Sequence, residues 1–174
     1  MTSTSRSARI VGTLRRTEDG KGAVRVEDLY DTDIEDLWSA LTDPRRLARW
    51  LADVDGDLRL GGRIHARFTS TWEGPGRIAV CDAPHRLAVT LSPGEPDETV
   101  IEATLAAEQG KTRLVIEERG IPVDEVPYHG AGWQAHVEDL AAHLRGAAAG
   151  DWHARWTALK PAYEDLAVSD GPEW

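Results

Sequence analysis

The sequence predicts an α+β domain in which an antiparallel sheet is covered on one face by a long helix. Three observations carry this. Segments between residues 10 and 118 alternate apolar and polar side chains, the period of strands buried on one side only. Two short helical patterns, at 32–42 and 43–51, interrupt the strands early. Residues 127–145 then place Trp133, Val137, Leu140, Ala141 and Leu144 on one helical face, with Glu138, Asp139 and Arg145 opposite. Strands followed by a helix belong to the α+β class.

The elements follow in order. Residues 10–16 and 24–30 alternate around a turn at 18–22 and read as an opening hairpin. Thr32 with Glu35 fits a capping box ahead of Ile34, Leu37, Trp38 and Leu41. Asp43 caps a second helix with Pro44 at its first position and Leu47, Trp50 and Leu51 as its stripe. Strands are expected at 58–60 and 63–70, flanking Gly61-Gly62, and at 76–81, 86–91, 99–105 and 112–118. Pro75, Ala83-Pro84, Pro93-Gly94 and Gln109-Gly110 supply the turns. Inward residues are Ile64, Ala66 and Phe68, then Ile78 and Val80, Leu87, Val89 and Leu91, Ile101, Ala103 and Leu105, and Leu114 and Ile116. A loop at 120–126 leads to the long helix, for which Gly146 is the C-cap. From Asp151 onward Trp152, Trp156, Leu159, Tyr163 and Leu166 mark a further helix, kinked at Pro161. Residues 1–8 read as a disordered leader, 9–149 as the domain, and 150–174 as a helical extension and tail.

Composition narrows the function. At 174 residues the chain is one domain, and a chain of this size buries roughly 70% of its unfolded surface. Cys81 is the only cysteine, which rules out an internal disulfide or thiolate zinc site. A formal charge of −10 argues against nucleic acid or an anionic membrane as partner. No apolar run approaches the length of a membrane span, and the polar N-terminus has no signal-peptide pattern, so the expected location is cytoplasmic. Seven Trp against one Phe and three Tyr is an inverted ratio. Tryptophan serves a core or lines a ligand cavity equally well.

The order of strand, paired short helices, antiparallel strands and long helix resembles the helix-grip (SRPBCC) superfamily of START and birch-pollen-allergen domains. The branch it resembles is the one related to the activator of the heat-shock-protein (ninety-kilodalton) ATPase. The resemblance rests on Leu37-Trp38-Ser39-Ala40-Leu41-Thr42-Asp43-Pro44, Ala48-Arg49-Trp50-Leu51 and Leu60-Gly61-Gly62-Arg63. It continues through Gly76-Arg77-Ile78, Thr112-Arg113-Leu114 and Gly130-Ala131-Gly132-Trp133. It implies a curved antiparallel sheet gripping the long C-terminal helix, with two short helices inserted after the first strands. A cavity that takes an apolar ligand lies between sheet and helix in such folds, and no fixed catalytic set is implied.

Chemistry-bearing patterns are sparse. Asp53-Val54-Asp55-Gly56-Asp57 lacks the glycine and glutamate positions of a calcium loop and reads as an acidic turn. His129, His136 and His143 recur every seven residues, about 10 Å apart along a helix, too far to share one metal unaided. They fall at the border of the apolar stripe, which places them at a cavity rim or a packing edge; His136, close to Trp133, is the best candidate for a polar ligand contact. No nucleophile elbow or phosphate-binding loop occurs. Arg63, His65 and Arg67 face away from the core side of their strand.

The reading is a non-enzymatic module that binds a small hydrophobic molecule or lipid, without cofactor, metal or catalytic residue. Trp38, Trp50, Phe68, Trp72, Trp133, His136, Val137 and Leu140 line its site. Two alternatives stay open. One is a cyclase- or aromatase-type enzyme on the same fold, which needs an acid–base pair in the cavity. The other is a chaperone-linked or protein-interaction module, including a homodimer in which Trp152 and Trp156 pack against a second chain.

Overall fold

The computed structural model describes residues 9–170; the expected leader at 1–8 lies outside them. β1 (Gly12–Arg16) and β2 (Gly22–Tyr30) form the expected hairpin, with Leu14, Val24, Val26 and Tyr30 buried. α1 (Ile34–Thr42) starts one residue later than the capping-box pattern suggests. Asp33, not Thr32, caps it by accepting from the Asp36 N–H at 2.8 Å, while the Thr32 hydroxyl donates to the Asp36 carboxylate at 2.6 Å. Asp43 caps α2 (Pro44–Leu47), which is only one turn long.

The next region departs from expectation. The acidic segment is strand β3 (Ala52–Gly56), and residues 58–60 belong to the connection that follows it. Ala52 and Val54 turn inward and Asp53 and Asp55 outward, so the carboxylates lie on an edge strand where charge discourages further pairing. Asp57 accepts from the Arg59 N–H and side chain, both at 3.0 Å, and closes the turn. A Cβ at Gly62 would collide with the Asp57 carbonyl, which is why glycine is needed there. β4 (Arg63–Phe68) follows, with Arg63, His65 and Arg67 exposed as expected.

β5 (Glu73–Asp82) runs through Pro75 instead of turning at it. The turn comes earlier, at Thr71, whose φ is +80°. The Pro75 carbonyl accepts from the Ser92 N–H at 2.9 Å. Its nitrogen points to that same side, beyond Leu91, the last residue of β6 (Arg86–Leu91) in the ladder, so no donor is missed. β7 (Thr99–Glu108) and β8 (Lys111–Ile121) are longer than expected. One 3-10 turn, Val123–Glu125, leads into α3 (Val126–Leu144). Gly146, at φ +78°, ends that helix in a Schellman arrangement, with Ala147 N–H bonded to Ala142 O at 2.9 Å. α4 (Trp152–Glu164) continues through Pro161, which sits in its last turn, and a short β9 (Val168–Ser169) follows that no sequence pattern announces.

The strands form one curved sheet in the order β3-β4-β5-β6-β7-β8-β2-β1-β9, antiparallel except for β1 with β9. α3 crosses its concave face. This is the helix-grip fold.

One expectation about α3 fails. Residues 130–137 are buried on all sides, because α4 packs on the back of the helix that periodicity assigns to solvent. Glu138 pairs there with Arg155 of α4 at 2.6 and 2.8 Å. The contact is close because Gly130 and Gly12 have no side chains. Tyr163, fully buried, occupies the space their Cβ atoms would need.

Candidate functional site

Two adjoining cavities open between α3 and the sheet. The larger, about 570 Å³, is walled by Phe68, Trp72, Tyr128, Trp133, His136, Trp152 and Trp156. The inner one, about 170 Å³, is apolar and is walled by Trp38 of α1, by Trp50 in the turn after α2 and by sheet residues such as Ile64, Val89 and Ala103. Phe68, Leu91, Ile101 and Trp133 line both and form the partition between them.

Of the expected site residues, Phe68, Trp72, Trp133 and His136 come together at the larger cavity, and Trp38 and Trp50 at the inner one. Trp50 is also a core residue, 1% exposed, with its indole N–H bonded to Ala40 O at 3.0 Å. Val137 and Leu140 are buried in the core and line neither cavity.

Of the cavity rim and packing edge that its place beside the stripe allows, His136 takes a buried place in the cavity wall; it is 4% exposed. Its ring lies 5.6 Å from Trp133, 6.2 Å from Phe68 and 5.1 Å from Trp152, centroid to centroid. Burial drives its pKa down to about 4, with a bond to the Trp50 backbone acting the other way. At neutral pH it is an uncharged ring. Its Nδ1 has no hydrogen-bond partner among the described residues.

The protein-interaction alternative packs Trp152 and Trp156 against a second chain. They stack on each other at 6.0 Å and 13° and dock on α3 of their own chain. Trp152 donates to Gly132 O at 3.3 Å and Trp156 to Tyr128 O at 3.0 Å. A segment that the sequence places outside the domain thus walls its cavity.

The polar end of the larger cavity escaped the sequence reading. Glu118, 5% exposed, accepts from Thr99 Oγ1 at 3.2 Å through Oε2. Its Oε1 accepts from Trp133 Nε1 at 3.2 Å and meets His129 Nδ1 at 2.7 Å. β8 places the carboxylate: Thr112, Leu114, Ile116 and Glu118 share one parity and all point inward. α3 places its partners, since His129 and Trp133 are one turn apart and project side by side. Burial works against a charged His129 ring, yet the Glu118 hydrogen bond and the charges of Glu118 and Glu125 outweigh it and hold the pKa above its ordinary value. Parity with Leu114 and Ile116 was the available signal for Glu118.

Among the described residues no group of three His, Cys, Asp or Glu could hold a metal ion, and no helix is long and apolar enough to cross a membrane.

The family described as Activator of Hsp90 ATPase homolog 1-like protein matches residues 31–145, two short helices through long helix. The chain belongs to this family. The match stops at the end of α3, so α4 and its two cavity tryptophans lie beyond the matched segment. Among solved structures the chain is similar to CalU16 from Micromonospora echinospora, with 26% identity over 89% of this chain and 94% of that one and a TM-score of 0.71. It is also similar to DynU16, a protein in the dynemicin biosynthetic locus, at 26% identity and TM-score 0.66; the alignment spans 73% of this chain and 49% of that one. Protein MLL2253 from Mesorhizobium loti aligns at 25% identity over 71% of this chain and 96% of that one, with a TM-score of 0.62. No curated protein matches the chain significantly. The family and these neighbours share a fold suited to ligand binding.

Proposed function

We propose that the protein binds a small, largely apolar molecule with aromatic or polyunsaturated character in the cavity between sheet and α3. The supporting observation is the aromatic enclosure itself. About 570 Å³ is within the range of sites for drug-sized ligands, roughly 300–1,000 Å³, and the inner apolar space adjoins it through the Phe68–Trp133 partition. Phe68, Trp72, Trp133 and His136 contact the ligand body, and an apolar branch reaches toward Trp38 and Trp50. His129, held by Glu118, receives a polar group at one end. The same reading puts the protein in the cytoplasm, with the small apolar ligand as its main partner.

Native mass spectrometry of the full chain as purified, followed by denaturing release, is the direct test. A retained molecule of defined mass supports the reading. Absence of any retained mass, together with failure of the neutral probe N-phenyl-1-naphthylamine to give saturable fluorescence, would sink it.

A further inference from the structure

We infer that His129 is a general base, positioned by Glu118, that removes a proton from an activated C–H bond of a planar, largely apolar substrate in the larger cavity. This rests on the cavity-binding reading and adds chemistry to it.

The geometry is that of an oriented imidazole. Glu118 lies on a strand interior and is fixed by two donors besides the ring, Thr99 Oγ1 and Trp133 Nε1, both at 3.2 Å. A carboxylate held in this way accepts a hydrogen bond from the Nδ1–H of His129 at 2.7 Å and fixes the tautomer. The basic lone pair is then on Nε2. The nearest carboxylate to that atom is Glu125, at 3.8 Å, outside hydrogen-bond reach. His129 side-chain exposure is 34%, against 6% for Glu118, so the ring is open to the cavity while its support is closed. Phe68, Trp72 and Trp133 give the cavity aromatic walls against which a planar substrate packs.

The step balances without a further reactant. The C–H proton passes to Nε2, its electron pair stays on the substrate as an enolate or opens an adjacent bond, and His129 later returns the proton to product or solvent. Glu118 remains ionised and stabilises the imidazolium. Glu118 is a positioning residue, since it meets the substrate only through His129. The charged groups facing the ring are Glu118 from β8 and Glu125 from the turn before α3; Lys21 and Asp97 line the same cavity.

The test uses the full chain and 5-nitrobenzisoxazole, a planar neutral compound. Loss of its C3 proton to a base forms the nitrile, breaks the ring N–O bond and releases a coloured phenolate. Tryptophan quenching reports binding separately. The expected result is saturable turnover that rises with pH through a pKa above the ordinary histidine value. His129→Gln lowers kcat on the order of 100-fold with quenching retained. Glu118→Gln lowers kcat, leaves KM unchanged and moves the pH midpoint downward, which loss of packing alone does not do. The exposed His85→Gln control leaves turnover unchanged. Saturable quenching with turnover unaffected by His129→Gln overturns the general-base role and leaves binding intact. Absence of both quenching and turnover at millimolar probe counts against the cavity reading and the base together.

Discussion

The Tyr163 hydroxyl donates to Gln134 Oε1 at 2.6 Å, the buried member of the set of bonds that ties α4 to the back of α3. Gln134 also accepts from the Val11 N–H at 3.3 Å and donates to Arg9 O at 2.6 Å, so the strand leading into β1 joins the same junction. Tyr163→Phe leaves the Gln134 oxygen with one long bond in a closed site. A loss of about 1–2 kcal/mol is expected, read from urea unfolding at pH 7. An unchanged midpoint would mean that water or rotation of Gln134 replaces the hydroxyl.

Gly130→Ala tests how tightly α4 is seated. The new Cβ would lie 2.6 Å from a Tyr163 ring carbon, with a Leu14 methyl at 3.1 Å behind it. Overpacking costs about 1–3 kcal/mol, and better helix propensity returns about 1 kcal/mol. Net destabilisation is expected in the native background. In a Tyr163→Ala background the same substitution should become neutral or stabilising, and the double-mutant cycle measures the difference.

His136 gives a pH prediction. Its folded pKa of about 4 lies below the unfolded value of 6.5. Between these values the unfolded chain holds a proton that the folded one does not. Stability therefore falls as pH drops from 6.5 toward 4, by roughly 3 kcal/mol from this group. His129 acts in the opposite sense: its raised pKa contributes stability below 6.5 that is lost as pH rises through the folded value. His136→Leu should flatten the loss between pH 6.5 and 4. An identical slope in the variant would assign the acid sensitivity elsewhere.

Trp152 walls the larger cavity from α4. Trp152→Ala should weaken N-phenyl-1-naphthylamine binding about tenfold, near 1.4 kcal/mol, along with a modest fall in Tm. A lower Tm with unchanged probe affinity would make Trp152 a structural buttress only.

Strand parity is legible where alternation is unbroken, and Leu14, Val24, Ile64 and Leu114 fall where it puts them; the bulge between Ile78 and Val80 breaks it in β5, so that Cys81 and not Val80 lines the inner cavity. β3 is not legible, since four of its five residues read as turn or acidic linker and only pairing with β4 makes it a strand. Glu118 is hard to read because a carboxylate on an inward parity looks like the end of a strand; its three partners come from β7 and α3, which only the fold brings beside β8. The burial of His136 depends on α4 docking on α3, a tertiary contact that helical periodicity does not encode. The aromatics Phe68, Trp72 and Trp133 converge as expected because they sit on elements that bound one space.

The two walls of the cavity differ in architecture. One is strands tied together by ladders, whereas Trp152 and Trp156 ride on a helix joined to α3 by the exposed segment 146–150. Exchange of that helix for another rewrites its wall without touching a single strand pairing of β2 through β8. The cavity is thus modular in build: one scaffold, with a replaceable faceplate.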